Sequence, residues 1–189
     1  MKTNRLEAFS DGVLAIIITI MVLELQAPEE ATLNALLERV PVFISYVFSF
    51  IYLGIYWNNH HHLFQITQKV NGKVLWVNLH LLFWLSLIPF TTAWIGNNYE
   101  AILPVVAYGV VLLLCAIAYF ILQNVIIKSH DMEFPLRKVI GSDRKGKISI
   151  VCYILGIGFA LLNTWIAIVL YSVVAIMWLV PDKRIENNL

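Results

Sequence analysis

The chain has 189 residues, of which 60% are hydrophobic and 13% charged, with a formal net charge of +1 and a mean hydropathy of +0.77. A soluble domain of this length cannot hide that much apolar surface in one core, and near-neutral charge leaves no electrostatic footprint for nucleic acid. Cys115 and Cys152 both lie inside apolar runs, where a thiol packs as a small hydrophobe, so they announce neither a disulfide framework nor a metal site.

Six apolar stretches are predicted to be membrane-spanning helices, at about 6 to 25, 40 to 59, 74 to 95, 101 to 127, 147 to 162 and 164 to 181. Each is near or above the roughly 17 to 25 residues that carry a helix across about 30 Å of hydrocarbon. The first is long enough to stay as a helix rather than serve as a cleaved leader. The fifth and sixth form one run from Ile148 to Val180, broken only by Asn163 and Thr164, which predicts a tight helical hairpin. The expected fold class is therefore all-α, a single six-helix transmembrane unit over residues 1–189. The segment Ser129 to Gly146, with Pro135 and mixed charge, is expected to be an exposed loop.

Basic residues test the drawing independently, because short cytoplasmic loops collect Lys and Arg. With both termini cytoplasmic, Lys2, Arg5, Lys69, Lys73, Lys128, Arg137, Lys138, Arg144, Lys145, Lys147, Lys183 and Arg184 fall inside, and Arg39 falls outside. Glu24, Glu29, Glu30, Glu38 and Glu100 then lie in outer loops. Five crossings would scramble this pattern.

The first helix enters with Arg5, Glu7, Ser10 and Asp11 and turns apolar from Gly12. A charge deep in hydrocarbon costs about 2.5 to 3.5 kcal/mol on insertion scales, so such groups face a bundle interior or a water-filled path. At about 100° per residue, Phe9, Ile16 and Leu23 align on one face, flanked by Gly12, Val13, Thr19 and Ile20, while Asp11 points back toward the subunit's own helices and Leu14 lies about 160° from Ile16. An aliphatic stripe of this kind packs against lipid or core, or gates a pore by dewetting where several copies surround an axis.

The second helix ends in Trp57, Asn58, Asn59, His60, His61 and His62. Consecutive helical histidines diverge by about 100°, so they do not jointly face one metal ion. One or two are expected to turn inward and pair with Asp11, with Trp57 donating its indole N–H and the third histidine meeting solvent. His80, near Asn78, is another candidate partner. No nucleophile with a base and no second intramembrane carboxylate accompanies Asp11, so catalysis is not expected.

Arg5-x-x-x-Phe9-Ser10-Asp11, followed by the apolar run with Thr19, resembles the signature that opens the first helix of the transmembrane protein 175 potassium channels. Trp57 with His60 and His61, and the stretch from Asn78-Leu79 through Pro89-Phe90-Thr91-Thr92, resemble that family's second- and third-helix features. The resemblance covers the first half of the chain; beyond residue 100 only helix number and length match. It implies a potassium-permeable channel with no carbonyl filter, a pore lined by the first helix, and a constriction at Ile16, with Thr19, Ile20 and Leu23 beyond it. Ala15 stands where some relatives place a serine. A single six-helix repeat is similar to the prokaryotic form, which implies a homotetramer in a prokaryotic inner membrane, surrounded by lipid, needing no cofactor and passing potassium ions. Arg5, Phe9, Ser10, Asp11, Trp57, His60, His61 and His80 would hold the pore helices in register. A proton-leak pathway or secondary cation transporter is the alternative for a chain with Asp11 and histidines on one side, although no Gly or Pro interrupts the first helix beyond Gly12.

Overall fold

The computed structural model describes residues 3–67, 69–130 and 143–179. Eight helices make up the described residues: α1 Thr3–Leu23, α2 Leu33–Glu38, α3 Val40–Ile66, α4 Gly72–Leu85, α5 Ile88–Asn97, α6 Ile102–Lys128, α7 Arg144–Ala160 and α8 Thr164–Leu179. Four candidate spans are long and apolar enough to cross a membrane: α1, α3, α4 with α5, and α6. The α7 and α8 helices are shorter, 17 and 16 residues. Lys2, Arg137, Lys138, Lys183 and Arg184, and most of the loop expected between Ser129 and Gly146, lie outside the described residues.

Local chemistry sets the helix ends. Asn71 accepts from the Val74 N–H at 3.0 Å to start α4, and Asp143 accepts from the Gly146 N–H at 2.9 Å to start α7. The expected turn at Asn163 is present: its Oδ1 accepts from the Trp165 N–H at 2.9 Å and opens α8. One expectation needs correction. The third apolar run is not one helix but two, α4 and α5, broken at Ser86 and Leu87. Pro89, in the first turn of α5, has no N–H to offer the carbonyl one turn back, which is why the ladder breaks there.

Two apolar clusters share the bundle. One joins α1 and α4 to the later part of α3 and of α6, around Leu53, Leu63, Leu81, Leu122 and Ile126. The other joins the starts of α6 and α8 to α7, around Tyr108, Leu112, Tyr153, Tyr171 and Val174. Close approach at two glycines lets the second cluster form. The Tyr171 ring lies against both Gly109 and Gly156, where an added Cβ would come within 2.0 and 2.5 Å of it. Between the clusters, Ser49 of α3, Thr92 of α5 and Tyr108 of α6 form a buried hydroxyl chain. The Thr92 hydroxyl lies 2.7 Å from Ser49 Oγ, which is 3.0 Å from the Tyr108 hydroxyl.

Contacts also define one end of the bundle. Thr3 donates to the Thr67 carbonyl at 3.2 Å, and the Lys69 N–H donates to His130 Nε2 at 3.3 Å. The start of α1, the α3–α4 turn and the end of α6 therefore lie together, and the charged entry of α1 is at that end.

Candidate functional site: the first helix and its polar anchor

Hydrophobicity does not decide which way a helix faces in lipid, because hydrocarbon tails are as apolar as leucine; packing and interhelical hydrogen bonds do. The buried face of α1 is Leu6, Ser10, Leu14, Ile17 and Met21. Ser10, fully buried, donates to its own helix at the Leu6 carbonyl (2.9 Å) and accepts from Asn78 Nδ2 on α4 (2.9 Å). Asn78 Oδ1 in turn takes the Nε2–H of His60 on α3 at 2.8 Å. This three-residue chain ties three helices together and fixes the rotation of α1. Because Asn78 donates through Nδ2 to Ser10 and presents an acceptor oxygen to His60, the His60 proton is assigned to Nε2; its Nδ1 is buried with no partner among the described residues.

Nearer the surface two further contacts join α1 to α3. Trp57 Nε1 donates to Asp11 Oδ1 at 3.1 Å, and His61 Nδ1 meets Glu7 Oε1 at 2.6 Å. Gln65 Nε2 donates to the other nitrogen of His61 at 2.8 Å, and the His61 ring stacks on Trp57 with centroids 6.1 Å apart. Glu7 and Asp11 are one turn apart on α1, as are Trp57 and His61 on α3, and the helices run antiparallel.

The expected residues are thus partly brought together. Ser10, Asp11, Trp57, His60 and His61 gather at one end of α1, with the Trp57 donation to Asp11 as expected. The pairing of the histidines is corrected: neither His60 nor His61 hydrogen-bonds Asp11, since their 100° separation sends one to Asn78 in the interior and the other to Glu7. His80 is corrected as well. It is exposed and accepts from Trp84 Nε1 of its own helix at 2.9 Å, because two residues along α4 from Asn78 place it near the opposite face. Arg5 is exposed and has no partner among the described residues. Glu7, Gln65 and Asn78 complete the network without having been singled out for it. The signal for Glu7 was its one-turn spacing from Asp11, matched by that of Trp57 and His61.

The other face of α1 is aliphatic and unpaired. Ile16 is 61% exposed and Leu23 74%, with Phe9, Thr19 and Ile20 also exposed, whereas Leu14 is 2% exposed. The Thr19 hydroxyl returns to the Ala15 carbonyl at 2.8 Å. Nothing among the described residues covers this stripe.

An all-helical membrane protein, anchored by polar contacts at one end of its first helix and leaving an aliphatic stripe on that helix uncovered, is the class these features define. The chain belongs to the TMEM175 family. Residues 5–89 match the model described as endosomal/lysosomal potassium channel TMEM175. The chain is 57% identical over 189 residues to a potassium channel of Chryseobacterium sp., covering 100% of this chain and 98% of that protein. It is 31% identical over 126 residues to a potassium channel of Streptomyces collinus, covering 62% of this chain and 61% of that one. The fold is similar to the crystal structure of a lysosomal potassium-selective channel TMEM175 homolog from Chamaesiphon minutus. The TM-score is 0.85 with 24% identity, over 95% of this chain and 97% of that one.

Proposed function

We propose that this chain is the subunit of a homotetrameric, potassium-permeable cation channel of a prokaryotic inner membrane, with six spans and both termini cytoplasmic. The exposed stripe on α1 carries the reading. A row of aliphatic side chains on a helix whose rotation is fixed by buried hydrogen bonds has a defined direction, and four such rows around an axis enclose a narrow passage. Bacterial relatives named potassium channels support the same assignment, while animal relatives named proton channels keep the proton pathway as the reading to test against.

In this reading Ile16 forms the constriction, with Thr19, Ile20 and Leu23 beyond it. The ring excludes water, so an ion crosses partly dehydrated, and the barrier is the cost of wetting the gap. Potassium sheds its hydration shell at lower cost than the smaller sodium, which gives preference without a carbonyl filter. No group is consumed and no cofactor is needed; the mechanism is passive permeation. The polar anchor holds the four first helices at a common angle. The deciding experiment is the reversal potential of the reconstituted protein in mixed potassium and sodium, with the pH difference across the membrane varied independently. A potential that follows the potassium gradient supports the channel; one that follows the proton gradient assigns the pathway to a proton leak instead.

A further inference from the structure

We propose that the cleft between α3, α5, α6 and α8 holds one acyl chain of a membrane lipid. The cleft has a volume of about 220 Å³, and Ile44, Phe48, Ile95, Ile168 and Tyr171 supply much of its wall. Apart from that of Tyr99, the hydroxyls along that wall already have partners. Ser45 donates to the Pro41 carbonyl at 3.0 Å and Ser172 to the Ile168 carbonyl at 2.8 Å. Tyr52 donates to the Tyr171 carbonyl, Tyr108 pairs with Ser49 at 3.0 Å, and Tyr171 reaches the Val105 carbonyl at 3.4 Å. Away from Tyr99 and Trp165, a polar ligand inside would give up hydrogen bonds to water with no free donor among the described residues to replace them, whereas an apolar one loses none. An unfilled space of this size forfeits dispersion contacts along its walls. For a chain embedded in a bilayer, the apolar material alongside is hydrocarbon.

The mouth of the cleft agrees with such an occupant. Tyr99, between α5 and α6, and Trp165, at the start of α8, meet edge to face there with ring centroids 5.6 Å apart. Tyr and Trp favour the level of the lipid headgroups, where one side of the ring is apolar and the other wet. The Trp165 indole N–H has no partner among the described residues and is available to a lipid ester carbonyl. Polar handle at the mouth and apolar walls below match the order of groups along a phospholipid. The inference rests on the membrane reading above and is independent of where the ion path runs.

Native mass spectrometry of the full-length protein in mild detergent, with phosphatidylglycerol of one defined chain length added, tests it. Wild type should retain one lipid per subunit. Ser172→Trp fills the cleft from α8 and Ile44→Trp fills it from α3, and each should lower retention by about tenfold or more. Val173→Trp, placed beside Ser172 at an exposed position, should retain lipid as wild type does. Free palmitate should compete for the site, and soluble glycerophosphoglycerol should not. Equal retention in all four proteins, no retention in wild type, or competition by the headgroup alone overturns the proposal. Dissociation of the oligomer by both filling variants, with no lipid carried by wild type, also overturns it and makes the cleft a contact with a second copy of the chain. The readout is lipid mass, so failure here leaves the potassium reading untouched, and absence of potassium flux leaves this one untouched.

Discussion

Trp57 reaches the Asp11 carboxylate at 3.1 Å one turn from the point where His61 meets Glu7, so the two carboxylates of α1 are each matched to a ring of α3. Both rings are donors in this arrangement, and a carboxylate is an acceptor. Asp11 is thereby occupied with helix positioning, about 140° around α1 from the Ile16 line. Asp11→Asn keeps an acceptor for the indole but removes the charge assistance. The expected result is weaker assembly, seen as a smaller oligomeric fraction by size-exclusion chromatography, with the potassium-to-sodium permeability ratio of the remaining channels unchanged. Fully assembled mutant protein that has lost cation discrimination would place Asp11 in the ion path.

The buried chain of Ser10, Asn78 and His60 should be more sensitive. Asn78→Leu removes two interhelical hydrogen bonds, each worth about 0.6 kcal/mol and up to about 1.7 in membrane proteins, and leaves His60 without a partner for its donor. A loss of about 1–3 kcal/mol is expected, measured as a lower midpoint in thermal or denaturant unfolding in detergent. His80→Leu, which breaks only an exposed contact within α4, should change the midpoint little. Similar losses for the two variants would remove the distinction between network and surface.

Ile16→Asn puts hydrogen-bonding groups where the proposed ring excludes water. Potassium flux in reconstituted vesicles should rise, and sodium flux should rise more, because a wetted gap lets sodium pass with more of its shell. Leu14→Asn, on the buried face, should act on folding yield instead. Wild-type flux and selectivity in assembled Ile16→Asn protein would exclude α1 as the pore helix.

Tyr171 and Gly109 form a steric pair whose coupling is measurable. Gly109→Ala drives a methyl group to within 2.0 Å of the Tyr171 hydroxyl. Overpacking of this kind costs about 1–3 kcal/mol. Tyr171→Phe removes the nearest atom and gives up only a long bond of 3.4 Å to the Val105 carbonyl. The double variant should therefore unfold later than Gly109→Ala alone; strictly additive losses would show that the ring moves aside freely.

Topology is tested by reporter fusions after Leu189 and within residues 28 to 36. Opposite sides are expected, and matching sides would eliminate the six-span arrangement.

Helix positions were legible in the sequence because a spanning helix is a long apolar run, and the exposed stripe was legible because one helix's angular order follows from residue spacing alone. The Asn163 turn was visible for the same reason. Partners were harder. That His60 meets Asn78 and His61 meets Glu7 depends on the register of α3 against α1 and α4, which no single helix encodes. Rotation within one helix separates the three histidines but leaves their targets open, and nearness in sequence to Asn78 misplaced His80. The break at Ser86 and Leu87 was hidden in an apolar run whose hydropathy does not register a missing N–H at Pro89.

The directional contacts that α1 makes to the rest of the bundle are concentrated in its first nine residues, through Thr3, Glu7, Ser10 and Asp11. Past Gly12 its polar contact to another helix, among the described residues, is from Thr92 to the Met21 sulfur at 4.0 Å. A rigid tilt of α1 about that anchored end displaces each residue in proportion to its distance from it. At 1.5 Å per residue, Ile16 lies about 8 Å from Asp11 and Leu23 about 18 Å, so a tilt of ~5° moves the first by about 0.7 Å and the second by about 1.6 Å. In the proposed channel the same swing moves Leu23 a little more than twice as far as Ile16. A channel so built would open more at the far end of this lever than at its fulcrum, and the proposed constriction at Ile16 would be the less disturbed of the two.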